Sequence, residues 1–502
     1  MNAMGIPSES IRNPAGGIGS AVLLSLALGL GGCSLAPVHE RPQAPVPDRW
    51  SSMSDQLTSG VKTSSPAAPS SGAGALSDSG LPDWRNFFLD PGMLQAIDAA
   101  LDYNRDLRIA LARVEEARAL YGVVSADRLP NIAVNASESA VRTPADISVS
   151  GRSTVVRRFD VGISLLSFEL DFWGRVASLS ESARASYLAT EQARRSFRIS
   201  LIADTADAYL AWHEAVERVS VANATLTARM ETSRVIALRR DAGLASDLDL
   251  LQARSSVESA RSELISLQRQ QALSGNALQL LTGVDPRSRT VSTSLIETGA
   301  ILPAGLPAEV LARRPDVLAA EERLRAANAN IGAARAAFFP RIGLTAGAGT
   351  ASRELDGLFE AGSRAWTFSP VLSLPIFSGG RNMANLDLAQ VRRNIAVADY
   401  ERAVIQAFRD TADALVSVQR LDEQLQVLRD LESAQTGRLA IAEARYAHGL
   451  TSFLDVLDAQ RELLSARQGV VQTRRSWLSA KIRLYKALGG GADHDGAAQT
   501  GR

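Results

Sequence analysis

The chain has 502 residues, with 54 acidic side chains against 54 basic ones, a balance that excludes the basic footprint of a nucleic-acid binder and any strongly acidic tail. Aromatic residues at 5% in an alanine-rich chain fit long packed helices better than a sandwich with a large aromatic core. A single cysteine excludes an internal disulfide, and four scattered histidines (His39, His213, His448, His494) suggest no metal cluster.

In chain order, the first feature is the apolar run from Ala21 to Leu30, followed by Gly31, Gly32 and Cys33. Its length is that of a signal-peptide core and too short to span a bilayer. Small residues directly before a cysteine, with Leu30 three positions ahead of it, resemble a bacterial lipobox. Residues 1–32 are then a signal peptide, and Cys33 is the acylated first residue of the mature chain. The alternative is a stray cysteine behind an ordinary signal peptide. Ser34 is not the aspartate that resembles an inner-membrane retention signal, which favours the outer membrane. No later segment reads as a transmembrane helix, so a membrane crossing by this chain has to use strands.

Residues 33–83 are rich in Pro, Ser and Gly and read as an extended, largely unstructured segment. From residue 84 the chain is duplicated. Asp204-Thr-Ala-Asp-Ala208 recurs 206 residues later as Asp410-Thr-Ala-Asp-Ala414, and Gly243-Leu-Ala-Ser-Asp-Leu-Asp249 recurs at the same offset as Gly449-Leu-Thr-Ser-Phe-Leu-Asp455. Pro130 recurs as Pro340. The first repeat is placed at 84–290, a linker at 291–310, the second repeat at 311–490 and a disordered tail at 491–502.

Each repeat reads alike. A helix (about 91–126; about 308–337) ends before Pro130 or Pro340. Two alternating segments follow: Ile132 to Ala140 and Val156 to Leu170 in the first repeat, Ile342 to Ala348 and Trp366 to Ile376 in the second. Phe159, Val161, Ile163 and Leu165 alternate with Arg158, Asp160, Gly162 and Ser164, the mark of a sheet with one apolar and one polar face. Lipid outside and water inside suits that pattern, and so does a soluble sheet lying on helices. Gly174-Arg175 and Gly379-Gly380-Arg381 then turn the chain into helices of more than sixty residues, roughly 90–100 Å at the usual rise. Helices of that length need neighbours, as in a coiled coil or the wall of a tube.

Four strands cannot close a membrane barrel, whose smallest members have about eight, and an open edge is not tolerated in lipid. Three chains pooling their strands would supply twelve. At the far end of each long helix, Gly243 and Gly449 suit the left-handed residue that ends a helix, while Ser246 and Ser452 suit the cap of the returning one, with Asp249 and Asp455 three residues on. The repeated Asp204/Asp207 and Asp410/Asp413 read as a structural pattern.

Leu311-Ala-Arg-Arg-Pro-Asp-Val317, Ile331-Gly-Ala-Ala-Arg-Ala-Ala-Phe-Phe-Pro-Arg-Ile342, Phe168-Glu-Leu-Asp-Phe-Trp-Gly-Arg175 and the stretch from Tyr446 to Gln460 closely resemble the outer-membrane factors, the TolC-like exit ducts, in their lipid-anchored NodT-type branch. The resemblance implies a mainly α fold with a small β part. Long α-helical hairpins form a trimeric α-barrel, and four strands per chain form a 12-stranded transmembrane β-barrel. It implies a homotrimer in the cell outer membrane, extending into the periplasm and contacting outer-membrane lipid. Its partners are a periplasmic adaptor protein and an inner-membrane efflux pump, and it needs neither catalysis nor a cofactor. Asp455, Asp458 and Tyr446 match the periplasmic gate of the family. Asp455 and Asp458 are also explained as a cap and a first-turn acid. The tips that dock the adaptor carry Gly243, Leu244, Ser246, Gly449, Leu450 and Ser452. Thr451 stands where relatives carry a latch arginine. A periplasmic adaptor lipoprotein would need only one hairpin, and a coiled-coil scaffold would need no alternating strands.

Overall fold

The computed structural model describes residues 35–42, 46, 83–149, 151–288, 311 and 313–490. The expected signal peptide, Cys33, most of the Pro/Ser/Gly segment, the 291–310 linker and the 491–502 tail lie outside them. The chain divides into two units. One comprises Glu116–Leu188 and Glu322–Ala398 with the N-terminal residues up to Arg41, and the other Pro42–Glu115, Ala189–Glu321 and Asp399–Arg502.

The elements are α1 (Trp84–Phe87), α2 (Pro91–Tyr103), α3 (Arg105–Ala126), β1 (Ile132–Thr143), β2 (Thr154–Leu170), α4 (Arg175–Asp241), α5 (Asp247–Thr282), α6 (Pro315–Ala336), β3 (Arg341–Ser352), β4 (Arg364–Ser373), α7 (Arg381–Ala447) and α8 (Phe453–Ala487). The duplication is visible in the helix lengths: α3 and α6 have 22 residues each, α4 and α7 have 67 each.

The strands reach further than read in the sequence, β1 to Thr143, β2 from Thr154, β3 over Arg341–Ser352 and β4 from Arg364, and three other boundaries differ. The helix expected over about 91–126 is broken at Asn104, whose extended backbone ends α2 and whose side chain accepts from the Leu107 amide at 3.0 Å to cap α3. The second-repeat helix starts at Pro315 rather than near 308, because a proline at the first helical position needs no N–H partner. Strand β4 stops at Ser373, short of Ile376. Its partner β3 begins opposite at Arg341, and Pro375 has no N–H to offer a ladder. The helices before the strands stop four residues ahead of Pro130 and Pro340, in turns tightened to i→i+3 bonds (Leu129 N to Ala126 O, 2.9 Å; Phe339 N to Ala336 O, 3.1 Å).

In the first unit the strands form one antiparallel sheet in the order β1-β2-β3-β4. The register places Ile132, Val134, Val161, Ile163, Ala346, Ala348, Trp366 and Phe368 on one face, and small or polar residues such as Ser164, Gly162, Gly347 and Thr367 on the other. Alternation survives an irregularity in β2. Between Leu165 and Phe168 the strand carries one extra residue, with Ser167 at φ 46°, so Phe168 and Leu170 return to the apolar face opposite Leu344 and Ile342. The two middle strands approach closely where Gly162 faces Gly349: a Cβ on Gly349 would lie 2.5 Å from the Gly162 Cα.

The second unit is helical. Its largest core gathers Trp84, Phe87, Phe88, Met93 and Ile97 against Ile202, Tyr209, Trp212, Leu278, Ile482 and Tyr485. Phe87 stacks on Tyr485 at 4.4 Å. The Tyr209 hydroxyl donates to Asp90, the same carboxylate that caps α2. Arg314, from the Arg-Arg-Pro-Asp motif, is buried: its side chain is 9% exposed and donates to the Ala487 carbonyl at 2.8 Å and to Asp316 at 2.6 Å.

Candidate functional site

Both helix tips are built from the same two devices. At the first, Gly243 takes φ 74°, its amide donates to Arg240 O at 2.9 Å, and the Leu244 amide reaches Arg239 O at 2.7 Å. At the second, Gly449 takes φ 72°, with Gly449 N to Tyr446 O at 3.0 Å and Leu450 N to Arg445 O at 2.9 Å. This paired termination satisfies the last carbonyls of α4 and α7 and requires a left-handed residue, hence glycine. A leucine at the next position ordinarily folds back onto its own helix. Leu244 and Leu450 instead remain 70% and 67% exposed.

The returning helices are capped by carboxylates. The Ser246 amide donates to Asp249 at 3.0 Å, and the Asp249 amide donates back to the Ser246 hydroxyl at 3.1 Å. Asp455 plays the matching part at the second tip, accepting from the Ser452 amide at 3.2 Å and from the hydroxyls of Ser452 and Thr451. The hydrogen bond from Thr451, then that from Ser452, hold the Asp455 carboxyl below its ordinary range. Asp458 lies one turn on, held at 2.5 Å by both Arg438 and Arg461.

Beneath the tips the two hairpins share a core of Ile236, Leu250, Ala253, Phe453 and Val456, with Tyr446 packed against it. The Tyr446 ring lies 5.5 Å from Phe453, and the Arg239 guanidinium sits 4.9 Å from its centroid, a cation–π distance. Burial pushes the Tyr446 hydroxyl above its ordinary pKa, against the opposing charge of Arg239.

The structure thus gathers Tyr446, Thr451, Ser452 and Asp455 at one end of the second hairpin. It also adds three arginines that the sequence reading missed. Arg461 follows Asp458 by three residues and was legible as a helical ion pair. Arg438 and Arg239 reach their partners across a hairpin and between hairpins, and nothing in local spacing points to them. The repeated aspartates tie helices together: Asp207 accepts from Arg475 at 3.4 Å and from Ser479, Asp204 pairs with Lys486 at 3.5 Å, and Asp410 with Arg314 at 3.5 Å. Asp413 pairs with Arg409 on its own helix at 3.3 Å.

The first unit holds the second feature of functional weight. The apolar face of the sheet is uncovered in the chain: Trp366 is 77% and Phe368 61% exposed. Both outer edges, β1 and β4, lack a strand partner in the described residues. The N-terminal segment after Cys33 is seated on α6. The Leu35 carbonyl accepts from Arg335 at 3.0 Å, and Asn328 lies 3.3 Å from His39 while accepting from Arg393 at 3.1 Å. Among the described residues no His, Cys, Asp or Glu group could hold a metal, and no helix is long and apolar enough to cross a membrane.

An antiparallel sheet with a bare apolar face and free edges, joined in sequence to duplicated long hairpins, points to the class of membrane-embedded ducts. The family model "Outer membrane efflux protein" matches residues 96–284 and 306–490, one match per repeat, and the chain belongs to this family of outer-membrane efflux channels. It is 43% identical over 486 residues to outer membrane protein OprJ of Pseudomonas aeruginosa, covering 96% of this chain and 97% of that one. It is 42% identical over 464 residues to the toluene efflux pump outer membrane protein TtgI of Pseudomonas putida (92% and 96%). The solved open state of the Neisseria gonorrhoeae MtrE outer membrane channel superposes with a TM-score of 0.76 at 35% identity, covering 92% of this chain and 99% of that one.

Proposed function

We propose that three copies of this chain make one outlet. Their twelve strands close a barrel in the outer membrane, and their hairpins line a tunnel that passively conducts small molecules delivered by an efflux pump. The observation that carries this is the four-stranded sheet with its lipid-suited face uncovered and both edges open. Backbone N–H and C=O groups on an open edge cannot be left in hydrocarbon, so the strands have to be completed by other copies.

Residues 1–32 are removed as a signal peptide and Cys33 carries the acyl anchor; the seating of Leu35 and His39 on α6 supports a chain held close behind that anchor. The tips bearing Gly243, Leu244, Ser246, Gly449, Leu450 and Ser452 dock a periplasmic adaptor, and an inner-membrane pump supplies the energy. The two exposed leucines support this, since each is an apolar group that its own helix does not cover.

Asp455, Asp458 and Tyr446 form the periplasmic gate. Three copies place six carboxylates around the axis, a barrier that favours cations. Single-channel recording of the reconstituted trimer tests the gate. The double variant Asp455→Ala, Asp458→Ala is expected to change closed-state conductance and its response to cations, and unchanged traces would remove both aspartates from the gate. Migration as a heat-modifiable trimer in outer-membrane fractions tests the assembly, and a folded monomer there would end the reading.

A further inference from the structure

The apolar face of the sheet changes chemistry along its length, and it does so twice. In the first hairpin the pairs on that face begin with Ile132 opposite Leu165. They pass Phe159 opposite Glu138, then Arg157 opposite Ala140, and end on Arg142 opposite Val155. In the second hairpin they begin with Ile342 opposite Leu372 and run through Phe368 and Trp366 to Arg364. Each ladder goes from aliphatic to aromatic to arginine. Arg157 and Phe159 recur 207 residues later as Arg364 and Trp366, the same offset that takes Leu165 to Leu372.

All three arginines lie toward the connections 144–153 and 353–363, the end at which each strand pair is joined by a loop; the other end leads into the long helices. At the helix end the strands offer no such charge. Arg341 is the basic strand residue there, and it is one position out of phase with Ile342, on the polar face. Arg158 is also on the polar face, where its guanidinium donates to Asp160 at 2.9 Å. Arg142, Arg157 and Arg364 are exposed, and among the described residues no carboxylate pairs with them. Glu138 is the one acid among the strand residues of the apolar face. The two loops carry Asp146, Glu354, Asp356 and Glu360 against Arg152 and Arg353, so the positive excess belongs to the strand face alone.

Depth agrees with charge. A charged group on a lipid-facing strand is tolerated near the interface and costly at the midplane. From Leu170 to Phe159 the apolar face of β2 covers roughly 36 Å along the strand, or roughly 27 Å along the membrane normal at a tilt of about 40°, close to the height of the apolar band of such barrels. Arg157 then stands at the level of the lipid head groups.

We propose that Arg142, Arg157 and Arg364 hold the phosphate groups of lipid in the leaflet at the hairpin end, while Phe159, Trp366 and Phe368 bear on the adjoining acyl chains. This rests on the barrel reading above and adds the lipid chemistry to it. The guanidinium fork matches phosphate with two parallel hydrogen bonds. Arg142 and Arg157 are diagonal neighbours on one face of the ladder, about 7–8 Å apart, so both can reach a single phosphate. Arginines that only snorkelled to water would serve equally at either end of the strands, since water lies beyond both. Their placement at one end fits a lipid richer in phosphate than that of the opposite leaflet.

Native mass spectrometry of the detergent-purified full chain tests this, with lipid A carrying both phosphates and the same lipid stripped of them as probes. The wild type is expected to retain the phosphorylated form about tenfold better, a comparison that needs no variant. The triple variant Arg142→Gln, Arg157→Gln, Arg364→Gln should lose that preference, whereas Arg158→Gln, on the polar face, should keep it. Equal retention of the two lipids by the wild type, a preference that survives the triple variant, or one that Arg158→Gln abolishes would each overturn the proposal. Displacement of the lipid by millimolar inorganic phosphate would assign the arginines to a free anion and overturn it as well. Masses in the same spectra keep the two readings apart. A trimer without the preference removes the lipid contact alone, and a folded monomer removes the barrel reading beneath it.

Discussion

The guanidinium of Arg438 donates to Asp458 at 2.5 Å, a contact made across the second hairpin by residues 20 positions apart. With Arg461 on the other side, also at 2.5 Å, this carboxylate meets two positive groups before it meets any solute. In the proposed gate, a ring of such groups would be far less negative than a ring of bare aspartates, which would leave most of the six-carboxylate barrier to Asp455. The double variant Arg438→Ala, Arg461→Ala should therefore raise the cation-to-anion permeability ratio of the reconstituted channel, whereas Asp458→Ala alone should lower it only slightly. Reversal potentials in a salt gradient measure both.

Thr451 donates its hydroxyl to Asp455. Because hydrogen bonds depress the folded pKa, the capped form is favoured above the ordinary carboxylate value and is lost only as pH falls through the depressed one. Any acid-induced change in gate conductance should thus have its midpoint below the ordinary aspartate range. Thr451→Val removes the largest cause and should move that midpoint upward. A conductance–pH series that is the same in both proteins would detach Asp455 from the gate.

Arg314 joins the start of α6 to the last carbonyl of α8 and to Asp410 of α7. Arg314→Ala leaves the Ala487 carbonyl and two half-exposed carboxylates without their shared donor, a loss of about 1–2 kcal/mol. Lysine keeps the charge but not the fork that serves three acceptors, so Arg314→Lys should recover only part of it. Thermal unfolding followed by circular dichroism should rank wild type above Arg314→Lys above Arg314→Ala.

Gly332 gives the N-terminal segment its seat, since any side chain there meets Ala36 and Ser178. Gly332→Val should lift residues 35–41 from α6 while costing about 1–3 kcal/mol of overpacking if they stay. Cleavage after Glu40 by a glutamate-specific protease in the intact protein is the readout, and it should quicken in the variant.

Much of this molecule is legible in its residues because the informative patterns are local. Strand alternation, the glycine and capping carboxylate at each tip, and the near-copy of one half by the other all lie within short windows or simple offsets. The physical cause in each case, a period of two, a left-handed turn or a reciprocal cap, acts between residues close in sequence. Even the need for several copies follows from counting strands against the requirement that no edge be left in lipid.

The rest was decided in three dimensions. Asn104 sits in a stretch that reads as one helix, and only the packing around it reveals a break. The extra residue at Ser167 is invisible in an alternating run whose two parts both look regular. Arg239 over Tyr446, Arg438 on Asp458 and Ala36 against Gly332 join positions from 20 to nearly 300 residues apart. Such contacts exist only once long helices and strands have been laid side by side, since the energy that selects them is packing and desolvation at the place of contact, to which neighbouring residues in the chain contribute no signal.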